Sequence, residues 1–443
     1  MEMSPLILIS ILMALLFVFL ATGLWIGVAL ALVGFFGLTV LLEGKDVIIT
    51  GVLYNTLNSY ALAAVPLFVF MGLMIYHSGL NKKIYRGVAK WVWPIPGALV
   101  HSNIVSCSIF AACCGSSTAT CATIGVVAYP EQVKERGYDK RLVLGSIAAG
   151  GTLGILIPPS ITMVLYGAFV GESVGRLFIG GIVPGFGTAL LFMLYIMVRS
   201  KMKPSLVPRS RERVTARYFL EAVLALKDIW PAILIFAVIW GSIYSGICTP
   251  TEVAAIGAFI VIVLAIIFRA LNFKILKEAT LETISITAMY GLILVGAKVM
   301  GSAFSLLKIP ATLATVVLAA EIDPLLVWGL ALVMYLIMGC FILGSALMLL
   351  TLPVVYPLLV TTLGFDGVWL GVMLVMMVEC AAITPPVGMN LYVLQGVTGQ
   401  KDISDVSIGS FPFFLILVGS MVIWTFFPQA VLALPNMMFA PRW

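Results

Sequence analysis

Charged side chains are scarce in this sequence of 443 residues: they make up 10% of it, whereas hydrophobic residues make up 62%. A soluble protein of this length needs far more polar surface. The composition therefore excludes a soluble globular fold and indicates an integral membrane protein. Apolar stretches of roughly the 20 residues that a spanning helix needs recur along the chain, and they predict about ten to eleven crossings plus two hairpins.

Several kinds of functional site also lack support in the sequence. The seven cysteines have neither metal-ligand spacing nor a loop framework, so we interpret them as small packing residues. No GxxxxGK[ST] motif occurs, which excludes direct drive by ATP. The net charge of +6 comes with basic residues in short loops between apolar spans, which is a topology signal and not a nucleic-acid surface. We expect neither a resident cofactor nor nucleic acid as a partner.

Histidine is rare as well, with two in the chain. His101 could in principle act as a base for a nucleophile at Cys113 or Ser116. No acidic residue in the surrounding segment would orient His101, however. We therefore expect that the protein is not an enzyme.

The sequence does contain a repeat with a constant offset of 227 positions. Three blocks recur at this offset: VAYP at 127–130 as VVYP at 354–357, GYD at 137–139 as GFD at 364–366, and IPP at 157–159 as TPP at 384–386. One offset across three blocks in apolar sequence indicates a duplicated membrane unit. Many secondary transporters are built from such units with interrupted helices.

Basic residues orient the two units. We place the loop from Arg199 to Arg217, the richest in basic residues, in the cytoplasm. The segment 91–128 is too long for one crossing and has basic residues on both sides, so we expect it to enter and return. Its turn should fall at residues 114–117, where small and hydroxylated residues allow a turn at membrane depth. The equivalent stretch, 326–362, should turn near Gly344-Ser345 with both ends outside, which predicts an inverted repeat.

Each hairpin precedes a helix that a pair of prolines interrupts, Pro158-Pro159 or Pro385-Pro386. Proline removes an amide donor and frees a carbonyl one turn earlier. Lipid cannot satisfy such a carbonyl, whereas a bound cation or water can. We therefore expect the tips and breaks to coordinate Na⁺, with half-helix N-termini facing an anionic substrate. The alternative for the small residues of the tips is close helix packing.

Two charged residues lie inside apolar spans. Lys298 costs on the order of 3 kcal/mol to insert, so it should have a partner or face water. Snorkelling to an interface is one explanation, and contact with a substrate carboxylate or replacement of a cation is the other. If Lys298 contacts substrate or replaces a cation, Lys298→Met should abolish transport while the protein stays folded in the membrane. Unchanged transport would refute this explanation. Glu379 either pairs with a helix end or a lysine, or acts near the ion site.

Taken together, these residues resemble the large membrane (M) subunit of tripartite ATP-independent periplasmic (TRAP) transporters, the DctM-like family. The resemblance runs along essentially the whole chain. Its most specific stretches are 115–125, 136–139, 150–160, 249–252 and 379–388. It implies an all-α polytopic membrane protein of elevator-type, ion-transporter-superfamily architecture, in which the hairpins and broken helices move as a transport domain against a scaffold. It also implies secondary active, Na⁺-coupled uptake of an organic acid across a bacterial or archaeal inner membrane.

The resemblance also implies site residues. The first Na⁺ site would use Gly115, Ser116, Thr152 and Pro158, and the second would use Gly344, Ser345, Thr384, Pro385 and Gly388. The substrate-binding residues would be Ser116, Ser117, Thr118, Ser160, Lys298, Ser345 and Asn390. Two positions depart from the expected pattern: Leu343 stands where we expect many relatives to carry an acid, and Lys298 is unexpected in its span.

Two partners follow from the resemblance, a soluble periplasmic binding protein (P type) that delivers substrate and a separate small four-helix membrane subunit (Q type). We divide the chain into scaffold helices of the first repeat (1–90), a first transport half (91–175), scaffold and connecting helices (176–310), a second transport half (311–406) and a C-terminal helix (407–443). The alternative is a stand-alone Na⁺/dicarboxylate or citrate symporter that needs no binding protein. A channel or scaffold subunit is a further class.

Overall fold

The computed structural model describes residues 5–42, 44–208 and 216–438. The middle of the basic loop used above for orientation, 209–215, lies outside the described residues. Within the described ranges the chain is helical and contains no strand. An all-α fold is expected, because a helix satisfies its backbone hydrogen bonds within one segment when no water is present.

The described residues form twenty-two α-helices, besides five short π- and 3-10 helices. The first eight are α1 (Pro5–Ala21), α2 (Ile26–Phe36), α3 (Val47–Leu57), α4 (Ala64–His77), α5 (Leu80–Val92), α6 (Leu99–Cys114), α7 (Ser117–Tyr129) and α8 (Lys140–Leu156). The next eight are α9 (Ile161–Val170), α10 (Val174–Gly180), α11 (Ile182–Met202), α12 (Ala216–Leu224), α13 (Leu226–Tyr244), α14 (Pro250–Ile267), α15 (Phe273–Leu306) and α16 (Ile309–Ala319). The last six are α17 (Pro324–Gly339), α18 (Gly344–Tyr356), α19 (Gly367–Ala382), α20 (Met389–Thr398), α21 (Ser404–Phe426) and α22 (Pro428–Met438).

Eight helical segments in the described part of the chain are long and apolar enough to cross a membrane, judged by length and composition. This is fewer than the ten to eleven crossings expected. The difference arises because other apolar stretches, including those of α6, α17 and α19, form helices of 10–17 residues. The protein is a polytopic membrane protein with fewer full-length spanning helices than the sequence predicts.

The 227-residue offset is matched element by element. The first residues of α7 and α18 differ by this offset, and both helices continue into a short π-helix, Pro130–Glu135 or Pro357–Thr362. The interrupted helix α8/α9 corresponds likewise to α19/α20. In both halves two short helices joined by a turn therefore precede a Pro-Pro interruption. The opposite orientation of the two halves in the membrane stays a prediction.

The two interrupted helices also begin in the same way. Asp139 caps α8 by accepting a hydrogen bond from the Leu142 amide at 2.8 Å. Asp366 caps α19 by accepting bonds from the Val368 and Trp369 amides at 2.8 and 3.0 Å. A side chain that satisfies the free amides of the first turn stabilises a helix start by about 1 kcal/mol. The GYD and GFD blocks are thus helix-start signals.

Some predicted boundaries move. The first hairpin begins at Leu99 and not at residue 91, because α5 continues to Val92 and a turn follows it. The second hairpin turns at residues 340–343, so Gly344 and Ser345 form the first turn of α18. The C-terminal segment holds two helices, α21 and α22. All four proposed domain boundaries fall inside helices, namely α5, α10, α16 and α21; the division into domains itself stays a prediction.

Two packing arrangements position the site. Helix α8 packs against α6, α7 and α21, while α19 packs against α17, α18 and α8. The long helix α15 packs along α2 and α4 and also contacts α18. The two interrupted helices therefore lie between the hairpins, and α15 borders the second hairpin.

An ion-pair cluster joins the start of α21 to the start of α8. The Asp405 carboxylate accepts hydrogen bonds from Lys140 Nζ at 2.7 Å and Arg141 Nε at 2.9 Å. We expect Asp405→Asn to lower the free energy of unfolding by no more than about 1 kcal/mol, because the pairs are partly exposed. Thermal unfolding in detergent at low and high salt checks this, since salt should shrink the difference. The control is Asp402→Asn, which removes a nearby carboxylate charge that bonds to Ser404 and to neither Lys140 nor Arg141; a salt-independent effect at Asp405 would contradict the expectation.

Candidate functional site

The tip of the first hairpin touches the first interrupted helix directly. Gly115 ends α6 with a φ of +64°, and a Cβ there would lie 2.8 Å from the Pro159 carbonyl oxygen. A Cβ on Gly154 would lie 2.6 Å from the Ser116 carbonyl oxygen. The Ser116 hydroxyl caps α7 by accepting a bond from the Ala119 amide at 3.4 Å. Glycine is needed at Gly115 both for its left-handed backbone and for this close approach.

The second hairpin meets the second interrupted helix in a similar way. A Cβ on Gly344 would lie 2.9 Å from Val378 Cα, before the interruption. After the interruption, the Val387 amide donates a hydrogen bond to the Cys340 carbonyl at 3.2 Å. The hairpin turn therefore contacts α19 on one side of the interruption and the chain on the other side.

Both tips line one small cavity of about 60 Å³. Its sixteen lining residues include six pairs related by the 227-residue offset: Gly115/Ile342, Ser116/Leu343, Ser117/Gly344, Thr118/Ser345, Ile155/Ala382 and Thr162/Met389. The others are Tyr290, Val378, Ala381 and Val387. The cavity therefore lies at the interface of the two repeats, where transporters of this build place their substrate and ion sites.

The polar groups of the cavity are hydroxyls and helix ends. Serine and threonine hydroxyls come from both hairpins, and the Tyr290 hydroxyl comes from α15. Helices α7 and α18 begin at the cavity, so their free amides and the positive ends of their dipoles lie there. No acidic or basic side chain lines this cavity. The arrangement can hold an anion by helix ends and a cation by neutral oxygens.

The structure brings together six of the residues predicted from the sequence: Gly115, Ser116, Ser117, Thr118, Gly344 and Ser345 line the cavity. Thr384 and Pro385 instead line a separate cavity of about 290 Å³ beside α21. The two parts of the predicted second Na⁺ site thus border different cavities. The remaining predicted residues, Thr152, Pro158, Ser160, Lys298, Gly388 and Asn390, line neither of these two cavities.

Three hydroxyls of the predicted site are bonded to backbone groups three or four positions away in the chain. Thr152 donates to the Ala149 carbonyl at 2.7 Å, and Thr384 donates to the Cys380 carbonyl at 2.5 Å. Ser160 caps α9 by accepting a bond from the Met163 amide at 3.2 Å. A hydroxyl keeps acceptor capacity while it donates one bond, so Thr152 and Thr384 could still face a cation.

Asn390 connects the two halves behind the cavity. Its Nδ2 donates to the Ser117 hydroxyl at 2.8 Å and to the Ala148 carbonyl at 3.2 Å, and the Ser117 hydroxyl donates to Oδ1 at 3.1 Å. Asn390 is fully buried. Because α20 belongs to the second repeat and Ser117 to the first hairpin, this side chain fixes the first tip relative to the second interrupted helix.

Lys298 has a partner outside the cavity. Its Nζ donates to the Phe169 carbonyl at 2.5 Å and lies 4.8 Å from the centre of the Phe169 ring. Phe169 is in the last turn of α9, where a cation is favourable because the free carbonyls carry partial negative charge. This accounts for a lysine in an apolar span without a substrate. Its contact with substrate stays a prediction, with Lys298→Met as the test.

Sequence reasoning missed several lining residues. Ile342 lies 227 positions after Gly115, so applying the offset to every candidate would have found it. Thr162 with Met389 and Ile155 with Ala382 are also pairs at this offset, but no member of either pair was a candidate. Tyr290 is different, because it belongs to α15 and lies in an otherwise unremarked part of that helix. No signal in a single sequence links it to the hairpin tips.

An all-helical membrane protein in which two repeated hairpins meet two interrupted helices around one cavity belongs to the class of membrane transport proteins. Comparison with known proteins identifies the family. The profile of the family described as "Tripartite ATP-independent periplasmic transporter, DctM component" matches residues 13–430. The chain belongs to this family, and it is a transporter permease and not an enzyme.

Individual relatives agree with this membership. The chain is 34% identical over 404 residues to the C4-dicarboxylate TRAP transporter large permease protein DctM of Pseudomonas aeruginosa, covering 90% of this chain and 92% of that protein. It is 31% identical to the isethionate TRAP transporter permease protein DctMQ of Oleidesulfovibrio alaskensis, covering 93% of this chain and 64% of the longer relative. The Alcanivorax borkumensis YdaH transporter has a similar fold, with a TM-score of 0.59 at 16% identity over 88% of this chain and 90% of that one.

Proposed function

We propose that this protein performs secondary active, Na⁺-coupled uptake of an organic acid across a bacterial or archaeal inner membrane. The names of its relatives support a carboxylate substrate: besides the C4-dicarboxylate permeases, they include a sialic acid permease of Haemophilus influenzae and a 2,3-diketo-L-gulonate permease of Escherichia coli. Each of these three substrates carries at least one carboxylate, whereas isethionate, the substrate named for the Oleidesulfovibrio alaskensis relative, is a sulfonate. The substrate of this chain is accordingly an organic acid.

The observation that carries the proposal is the single cavity shared by the N-termini of α7 and α18. Two converging positive helix ends stabilise a carboxylate in a dry site. The hydroxyls of Ser116, Ser117, Thr118 and Ser345 supply oriented donors beside them. Asn390 holds Ser117 in place. Ser160 at the start of α9 and Lys298 in α15 complete the proposed substrate set.

The proposed Na⁺ sites consist of neutral oxygen ligands, namely backbone carbonyls and side-chain hydroxyls. The proposed first ion site uses Gly115, Ser116, Thr152 and Pro158, where the first tip touches the first interruption. The proposed second site uses Gly344 and Ser345 with residues 384–388. Thr384 and Pro385 border another cavity, so this second site requires the chain around the second interruption to move toward the tip.

A transport cycle also requires a larger cavity. Ligand pockets commonly measure about 300–1,000 Å³, whereas this cavity measures about 60 Å³. In the conformation described here the cavity between the tips is too small for such a ligand. We propose an elevator mechanism, in which the hairpins and interrupted helices move together against the scaffold and open the cavity on one side at a time.

The family description implies two partners, a periplasmic binding protein that delivers the acid and a small membrane subunit. The membrane potential supplies about 2.3 kcal/mol per charge per 100 mV. A few Na⁺ ions entering with one anion therefore make uptake electrogenic. An inside-negative potential should raise the uptake rate when a Na⁺ gradient is present; an unchanged rate would contradict this part of the proposal.

The proposal is tested by uptake of radiolabelled organic acids into proteoliposomes that hold this chain with its small subunit. Four conditions combine the presence and absence of the binding protein and of Na⁺. Uptake only when both are supplied is the expected result. Uptake that ignores the binding protein would support a stand-alone symporter, continuous ion current without substrate would support a channel, and uptake that ignores Na⁺ would refute the coupling.

A further inference from the structure

Glu379 is a buried carboxyl group that no side chain or backbone group among the described residues satisfies. It lies in α19 with no exposed surface. Neither of its carboxyl oxygens has a hydrogen-bond partner. Among the side chains that the structure describes, it is the only aspartate, glutamate, lysine or arginine that is buried. An ionisable residue inside a membrane protein is expensive and commonly functional.

The repeat provides an internal comparison for this position. The 227-residue offset relates Glu379 to Thr152 in α8, which is equally buried. The Thr152 hydroxyl is satisfied by the Ala149 carbonyl of its own helix, at 2.7 Å. A small neutral side chain therefore packs well at this place in the first repeat. Packing alone does not account for a carboxyl group in the second.

Titratable groups on the neighbouring helices bond elsewhere. The helices packed against α19 are α8, α9, α10, α17, α18, α20, α21 and α22. Each titratable side chain on these helices has a hydrogen-bond partner other than Glu379. Among the charged groups, Lys140 and Arg141 bond to Asp405, and Arg176 bonds to Asn436. Among the tyrosines, Tyr166 bonds to the Gly367 carbonyl, Tyr335 to Thr351, Tyr356 to Glu172 and Tyr392 to the Pro386 carbonyl. None of these groups neutralises Glu379, and Cys380 next to it in α19 is a neutral thiol donor at most.

Energetics favour a neutral carboxyl group in this conformation. A buried ion without a partner costs several kcal/mol. A buried neutral polar group without a partner costs about 1–3 kcal/mol. The cheaper form is the acid that carries its proton, and water is the only acceptor to which that proton could leave.

The place of Glu379 in α19 gives it a route to water. Val378 and, one turn later, Ala382 line the cavity between the hairpin tips. The helix is interrupted immediately after Ala382. We propose that Glu379 binds one proton while the tips are closed and releases it to water when the end of α19 separates from the second hairpin. The O–H bond breaks, the carboxylate keeps the electron pair, and a water molecule takes the proton.

Infrared spectroscopy of the purified full chain tests the bound proton. We expect the difference spectrum between the wild type and Glu379→Gln to contain the C=O stretch of a protonated carboxyl group at neutral pH, with and without Na⁺. Glu172→Gln is the control, because Glu172 accepts a bond from Tyr356 at 3.0 Å and is not fully buried. Absence of the band would overturn the proposal. Its disappearance on adding Na⁺ would overturn it too, and would identify a Na⁺ site instead.

A second measurement guards against a variant that fails to fold. Dicyclohexylcarbodiimide reacts with protonated carboxyl groups in apolar surroundings, and mass spectrometry of the labelled wild type locates the product. We expect labelling of Glu379 that declines as pH rises and is unaffected by Na⁺. No labelling at any pH would contradict the proposal. Glu379→Thr, which copies the residue of the first repeat, serves as the unreactive control.

Release of the proton during transport rests on the proposed carrier function. With pH-sensitive dyes on both sides of the proteoliposome membrane, wild-type uptake of a C4-dicarboxylate should acidify the solution on the side to which the second hairpin opens, and Glu379→Gln should lose this acidification while still carrying acid. Equal acidification in both would overturn the release step. Absence of any uptake would refute the carrier function, and the spectroscopic result on the bound proton would stand independently.

Discussion

Gly296→Val is expected to prevent α15 from packing against α2. A Cβ on Gly296 would lie 2.2 Å from the Gly27 carbonyl oxygen, and one on Gly34 would lie 2.5 Å from the Met300 amide nitrogen. The two backbones therefore touch along their length, and no flexible side chain can give way. Overpacking costs about 1–3 kcal/mol and sometimes more. We expect loss of at least this much stability, measured as the thermal unfolding midpoint and the yield of monodisperse protein in detergent.

Gly291→Val is the matched control for this prediction. Gly291 lies in the same helix, and a Cβ there would meet nothing within 4 Å. Both variants place a β-branched residue in α15, so they share the small cost in helix propensity. Equal midpoints for the two variants would show that α2 and α15 do not pack as closely as described.

The sequence predicted the elements of the site well where local chemistry determines them. The interruption at Pro158-Pro159 follows from the missing amide of proline, and the turn at Gly115 follows from its conformational freedom. The repeat offset then predicted a turn and an interruption in the second half as well. It could do so because the same residue types recur at equivalent positions and favour the same local structure. Asp139 and Asp366, which cap the starts of α8 and α19, are an example.

The partners of individual side chains could not be predicted in the same way. Lys298 contacts the end of α9 and Asn390 contacts Ser117, and both contacts join segments more than 100 positions apart. Thr384 and Pro385 line a cavity beside α21, and this position depends on how α21 packs. These relations arise from tertiary packing, which propensity and spacing do not encode.

Of these contacts, the one between Asn390 and Ser117 should matter most for transport. Asn390→Leu keeps a similar volume but removes every hydrogen bond of this side chain with Ser117 and with the Ala148 carbonyl. Buried groups left without partners cost about 1–3 kcal/mol each. Because Ser117 belongs to the first tip, losing these hydrogen bonds should change the shape of the cavity. We expect organic-acid uptake to fall at least about tenfold.

Tyr392→Phe is the control for Asn390→Leu, since it removes one hydrogen bond, to the Pro386 carbonyl, from the exposed side of the same helix. We expect it to retain most of the uptake. Initial rates per folded transporter, with the folded fraction taken from size-exclusion chromatography, separate lost function from lost protein. If Asn390→Leu and Tyr392→Phe transport at the same rate, the first tip does not need its connection to α20. A loss of uptake in Asn390→Leu alone would show that the two repeats form the site jointly, because Asn390 belongs to the second half of the chain and its partners Ser117 and Ala148 belong to the first.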